Sequence, residues 1–190
     1  MSAAAKVKVL GIAGSLRSGS YNRALLRAAQ NIAPAEMSIE IHDLSSIPLY
    51  NYDVEQQGDP DEVRRFKEAI RNADALLIST PEYQRSIPGV LKNALDWASR
   101  PAGASVLRQK PVAFIGASPS MTGTARAQTQ LHEIFYYNDM RPVTHPEVLV
   151  SFANKKFDAQ GNFVDEGGRS FLQELLQNLL KAAEPQEVSA

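Results

Sequence analysis

The chain has 190 residues, 44% of them hydrophobic and 22% charged, with a net charge of −1 at pH 7; this suits one globular domain with a sizeable core and excludes a field strong enough to recruit nucleic acid or an anionic membrane. It contains no cysteine, which excludes disulfides, thiolate metal sites and cysteine nucleophiles, and with them the phosphatases that attack through a thiolate. No apolar run reaches membrane-spanning length, and the N-terminal one is short and broken by Gly11 and Gly14, so a cytoplasmic protein without a signal peptide is expected.

In chain order, residues 1–5 read as a disordered leader. The apolar run over 6–13 predicts a first strand, and the helical spacing over 21–32 predicts a first helix stopped near Pro34. Alternation over 38–42 predicts a second strand. The connection over 44–53 carries Ile47, Leu49, Tyr50 and Tyr52 where a plain linker would be polar. Asp59 and Pro60 read as cap and first-turn residue of a second helix over 61–72. A strand over 73–79, a helix over 87–99 that Pro88 can open, a strand over 111–117, a helix over 124–138 and a strand over 142–149 follow. Residues 154–163 read as an excursion with a turn at Ala159-Gln160-Gly161. An amphipathic last helix spans 168–183, with Phe171, Leu172, Leu175, Leu176, Leu179 and Leu180 on one side, and the tail from Glu184 reads as loose. Five apolar strands alternating with five helices predict an α/β fold: a parallel sheet, order 2-1-3-4-5, helices on both faces. Ligands of such sheets sit beyond the carboxyl ends of the strands, where strand order reverses. The loops after strands 1, 3 and 4 converge there.

The loop after strand 1 is the most chemically marked. Gly11-Ile12-Ala13-Gly14-Ser15-Leu16-Arg17-Ser18-Gly19-Ser20-Tyr21-Asn22 sets three hydroxyls, an amide and a guanidinium between a strand and a helix start. Glycines let backbone approach a ligand closely, and the helix aims free N–H groups and the positive end of its dipole at the loop. This is an anion site, best suited to a phosphate. Lys6, Lys8, Arg17, Arg23 and Arg27 all precede the first acidic residue, Glu36. A polar turn with an Asn or Ser cap would need neither so many donors nor the arginine. Position 20 is Ser with no Lys beside it, so this is not an NTPase P-loop.

After strand 3, Pro81 and Pro88 bracket a stiff, polar segment. In it Tyr83 offers a flat face with a polar tip, and Gln84 and its neighbours offer amides for the edge of a heteroaromatic ring. Leu91 and Trp97, further on, read as core. The loop over 117–126, with Ser118, Ser120 and Thr122, reads either as a wrap for a ligand's far edge or as a flexible helix entry. His42, His132 and His145 are scattered and read as structural or surface residues.

The segments Gly14-Ser15-Leu16-Arg17-Ser18-Gly19-Ser20-Tyr21-Asn22 and Pro81-Glu82-Tyr83, then Ser86-Ile87-Pro88-Gly89-Val90-Leu91-Lys92-Asn93-Ala94-Leu95-Asp96-Trp97, closely resemble the NAD(P)H-dependent FMN reductases. The subgroup concerned includes soluble quinone, chromate and azo-dye reductases. The resemblance runs from the first strand through the last helix. It implies a flavodoxin-like fold, tightly held FMN with NADPH or NADH as co-substrate, a small-molecule electron acceptor, and a homodimer or dimer of dimers. It implies that Ser15, Arg17, Ser20 and Asn22, with Tyr21, hold the phosphate. Pro81, Glu82, Tyr83, Gln84 and Ser86 would border the isoalloxazine, and Ser118 would close the site. The family usually has Asn where this chain has Gln84. That exchange is harmless if the contact is main-chain and consequential if the side chain touches the ring.

In such an enzyme the cofactor carries the hydride step, so no dedicated acid, base or metal is required. The sequence accordingly has no H-E-x-x-H, G-x-S-x-G, G-x-G-x-x-G or paired-carboxylate motif. A flavodoxin-type electron carrier would share the fold, but such carriers are usually strongly acidic and this chain is not. A non-catalytic flavin-binding protein is the other alternative. The segment over 47–52 exposes Leu49, Tyr50 and Tyr52 unless a second subunit, or the chain's own second helix, covers them.

Overall fold

The computed structural model describes residues 6–184; the expected leader over 1–5 and the tail beyond Glu184 lie outside the described residues. Strands β1 (Val7–Ala13), β2 (Met37–His42), β3 (Ala75–Ser79), β4 (Pro111–Ala117) and β5 (Arg141–Val150) form one parallel sheet in the order β2-β1-β3-β4-β5. The helices are α1 (Tyr21–Ile32), α2 (Tyr52–Glu55), α3 (Asp61–Asn72), α4 (Gly89–Ala98), α5 (Ala125–Tyr137) and α6 (Glu166–Ala183). The expected strand order and three-layer arrangement are therefore observed.

The sheet's period of two sorts its side chains between two cores. Ala75, Leu77, Ala113 and Ile115 face α1 and α6, whereas Leu76, Ile78, Val112 and Phe114 face α3, α4 and α5. Every residue of β3 and β4 is buried, as expected of central strands covered on both faces. Leu91 and Trp97 are fully buried in the second core.

Most element ends lie within two residues of the sequence reading, and the short helix α2 falls where a loop was expected; the shifts at β3 and α6 and the cap of α3 have identifiable local causes. Strand β3 begins at Ala75 because Ala73 ends α3, its N–H donating to the Ile70 carbonyl at 3.3 Å. Helix α6 begins at Glu166, two residues before the expected start, because the Asp165 carboxylate accepts from the Gly168 N–H at 3.0 Å. Asp59 does not cap α3: Pro60 occupies the N-cap position with no side-chain cap. The Asp59 carboxylate instead accepts twice, at 2.7 Å, from Lys67 Nζ, a buried ammonium. The Asp165 cap gives the first prediction. Asp165→Ala lowers stability by about 1 kcal/mol, the usual weight of an N-cap, measured as a shift of the urea midpoint at unchanged m-value.

The connection over 44–59 is firmly held. The Pro48 carbonyl accepts from Asn93 Nδ2 (2.8 Å) and Trp97 Nε1 (2.9 Å), and the Tyr50 N–H donates to Asn93 Oδ1 (2.7 Å). Tyr50 packs edge-on against Trp97, 5.0 Å between centroids, and donates to Glu55, which also pairs with Arg100 at 2.9 Å. Tyr50 therefore turns back onto its own subunit's α4. Leu49 and Tyr52 do not: they are 83% and 54% exposed.

Candidate functional site

Three loops meet at the carboxyl ends of β1, β3 and β4. Gly14 extends the β1–β3 ladder by one bond, its N–H donating to the Ser79 carbonyl at 2.8 Å. A Cβ on Gly14 would sit 2.9 Å from Pro88 Cγ and 3.1 Å from Pro81 Cδ. Glycine is needed there so that the first loop can touch the second. Gly19 is the opposite case: a Cβ there would meet nothing nearer than Arg17 Nη1 at 4.0 Å, so that stretch of backbone faces open space.

The first loop ends in a cap. The Ser20 hydroxyl accepts from the N–H groups of Asn22 (3.2 Å) and Arg23 (3.4 Å), and the Ser20 N–H donates to the Arg17 carbonyl (3.1 Å). Among the described residues, the N–H groups of residues 16–19 donate to no protein acceptor. Arg17 is exposed and, among the described residues, pairs with no carboxylate. A row of unmatched donors beside an uncompensated guanidinium is chemistry for an anion.

Asn22 is placed differently from its neighbours. Its Nδ2 donates to the Ala117 carbonyl (2.9 Å), while its Oδ1 accepts from the Ala117 N–H (2.9 Å) and the Ser79 hydroxyl (3.1 Å). All three residues are buried. The amide expected to face a phosphate is a brace that ties the start of α1 to the ends of β3 and β4.

In the second loop Pro81 is buried and Tyr83 is half exposed, its hydroxyl 3.5 Å from Ser15 Oγ across the gap between the loops. The Glu82 carboxylate turns away to cap α5, accepting from the Arg126 N–H (3.0 Å) and guanidinium (3.3 Å). This neutralises the site's acidic residue and leaves the positive charge of Arg17 to set the local potential. Gln84 and Arg85 are the tip of a tight turn, with φ of 51° and 64°. Ser86 donates its hydroxyl to Gln130 Oε1 on α5. In the third loop the Ser118 N–H donates to the Val150 carbonyl and its hydroxyl to Ser120 Oγ, both near 3 Å. Beneath that loop Gly116 admits no side chain: a Cβ would lie 1.8 Å from Thr124 Oγ1 and 2.7 Å from the Thr80 carbonyl.

The loops enclose a cleft of about 150 Å³ lined by Ser15, Arg17, Ser20, Tyr21, Asn22, Pro81, Glu82, Tyr83, Ala117, Ser118 and Pro119. Nine of the eleven residues singled out from sequence line it; Gln84 and Ser86 do not, being at and beyond the tip of the turn. A larger groove, about 410 Å³, lies at the opposite end of the sheet beside Lys8, Ser38 and Asn72. It has no glycine-rich loop, and its position at the amino ends of the strands is the wrong end for this architecture. The three histidines lie away from the cleft. His42 packs on Phe66, its pKa lowered by burial; His132 packs edge-on against Phe114; His145 meets Thr144. Among the described residues no helix is long and apolar enough to cross a membrane.

Arg126 and Gln130, which hold the second loop from α5, were not among the residues singled out from sequence. Their partners lie 44 and 45 positions away, and no local pattern announces such pairing.

A family model described as NADPH-dependent FMN reductase matches residues 7–155. An NAD(P)H-dependent FMN reductase of Pseudomonas aeruginosa is 53% identical over 173 residues, 91% of this chain and 93% of that protein. A 2-hydroxy-1,4-benzoquinone reductase of a Burkholderia species is 45% identical over 167 residues, covering 88% and 91%. Among solved structures, FerB of Paracoccus denitrificans, a flavoenzyme NAD(P)H:(acceptor) oxidoreductase, is similar with a TM-score of 0.85 and 34% identity, over 93% of this chain and 96% of that one.

Proposed function

The chain belongs to the NADPH-dependent FMN reductase family, and from that premise we propose that it passes hydride from NAD(P)H through bound FMN to small acceptors such as quinones, chromate, azo compounds or free flavin. One observation carries the assignment of the site: the unmatched N–H groups of residues 16–19 beside Arg17, at the carboxyl ends of the central strands. FMN, when bound, supplies the redox chemistry.

The chain's own residues supply binding and orientation. The residue 16–19 amides, Arg17 and the Ser15 and Ser20 hydroxyls hold the phosphate. Tyr21 packs beside it on Phe157, 5.3 Å between centroids. Asn22 fixes the loop to the sheet. Pro81, the Glu82 main chain and Tyr83 form the ring-side wall, with Gln84 at its tip and Ser86 tying it down; Ser118 closes the far side. The donor set fits a phosphomonoester on a flavin.

The test is an anaerobic titration of the purified protein. FMN, identified by mass spectrometry after heat release, is bleached directly by NADH or NADPH and recoloured by a quinone. Recovery of FAD alone, or failure of FMN to bind on reconstitution, overturns the cofactor assignment. Bound FMN that neither nucleotide bleaches marks an electron carrier. Bleaching without turnover on any quinone, chromate, azo dye or free flavin marks a non-catalytic flavin-binding protein.

The protein works as a homodimer or dimer of dimers, in the cytoplasm. Exposed Leu49 and Tyr52 on the pinned 44–59 connection, and Tyr136 and Tyr137 at the end of α5, 85% and 86% exposed, support an assembly that covers aromatic surface. Light scattering at micromolar concentration gives at least a dimer mass; a monomer mass overturns this.

A further inference from the structure

The turn Tyr83-Gln84-Arg85-Ser86 is closed by two reciprocal bonds, Tyr83 N–H to the Ser86 carbonyl and Ser86 N–H to the Tyr83 carbonyl, each 2.9 Å. Both central residues are left-handed, with φ of 51° at Gln84 and 64° at Arg85. These are the φ signs of a type I′ turn, which Asn-Gly holds by its own preference and Gln-Arg does not. Residues kept in such a region persist where their surroundings over-determine them. Here the surroundings are one face of α5. Gln130 grips the turn with both ends of its amide: Oε1 accepts from the Ser86 hydroxyl at 2.5 Å, and Nε2 donates to the Arg85 carbonyl at 3.1 Å. One helical turn earlier, Arg126 holds Glu82. The segment is thus strapped to the helix at both ends. The residue between the straps that faces the cleft is Tyr83, 3.5 Å across from Ser15.

We propose that Gln130 is a positioning residue for the flavin ring. It lies outside the cleft and acts by holding Gln84 and Arg85 left-handed, which sets where Tyr83 and the Gln84 main chain meet the ring. The inference rests on the FMN reading above, and it predicts an effect on the ring without one on the phosphate.

The experiment compares FMN and riboflavin binding, by flavin fluorescence, in wild type, Gln130→Ala, and Gln130→Ala combined with Gln84→Asn and Arg85→Gly. Amide exchange at Ser86 is followed in the same proteins without flavin. Gln130→Ala weakens both flavins equally, by about tenfold, the weight of one hydrogen bond. It also speeds exchange at the Ser86 N–H, which reports the turn's closure. The Asn-Gly turn, which needs no clamp, restores both affinities and the slow exchange. Unchanged affinities in Gln130→Ala overturn the proposal, as does a loss confined to FMN or a failure of Asn-Gly to restore binding. Should wild type bind neither flavin, the functional reading falls, while unchanged exchange at Ser86 would separately show that Gln130 does not hold the turn.

Discussion

Arg17→Ala weakens FMN binding by about ten- to a hundredfold and leaves riboflavin binding where it was. A hydrogen bond to a charged group contributes roughly 1.5–3 kcal/mol, and about 1.4 kcal/mol is a factor of ten in affinity. Arg17 has no carboxylate partner among the described residues, so its removal leaves no buried countercharge and the loss falls on the ligand. Riboflavin has the ring and lacks the phosphate. Because Arg17 is exposed, the difference between the two flavins shrinks as salt is added. Fluorescence titration of both flavins at two ionic strengths measures it. Equal binding of both flavins by mutant and wild type would make Arg17 a bystander. Equal losses would make it a support of the loop's fold.

Asn22→Ala gives the opposite pattern: both flavins are lost together and the protein itself is destabilised by about 4 kcal/mol. The substitution leaves the Ala117 N–H, the Ala117 carbonyl and the Ser79 hydroxyl without the partners they have now. Ser79 and Ala117 are 0% and 2% exposed, and each buried polar group stripped of its partner costs about 1–3 kcal/mol. A total near 4 kcal/mol is a large share of the roughly 5–15 kcal/mol by which a domain is stable. Urea unfolding monitored through Trp97 measures it. A loss below about 1 kcal/mol would mean that water can take the place of the amide, and Asn22 would be no brace.

These two expectations show where sequence reading succeeds and where it stops. The sheet was legible because β1, β3 and β4 are apolar runs and β2 alternates, and the two cores follow from the period of two along β3 and β4. The donor-rich loop after β1 was legible because its donors are neighbours in the chain. Asn22 looked like one more of them, since proximity in sequence cannot show that its amide reaches Ala117, 95 positions away. The glycines of that loop were read together as points of close approach, and at Gly14 the approach is to another part of the chain. The atoms that forbid a side chain there belong to Pro81 and Pro88. Asp59 had the composition of a cap and met a buried lysine instead. At Asn22 and Gly14 a contact with a distant part of the chain outranked the local preference of the residue, and at Asp59 a lysine two turns into α3 did so.

The contact at Gly14 also bears on how the cleft fills. The loops after β1 and β3 touch through this residue with no gap for a methyl group, so neither wall can swing without displacing the other. The two halves of a flavin thus meet one rigid receptor. Walls joined in advance lose less ordering entropy on association than loose loops do. Uptake of the cofactor should then approach the speed of diffusion, with a single-exponential time course whose rate rises linearly with flavin concentration and does not level off.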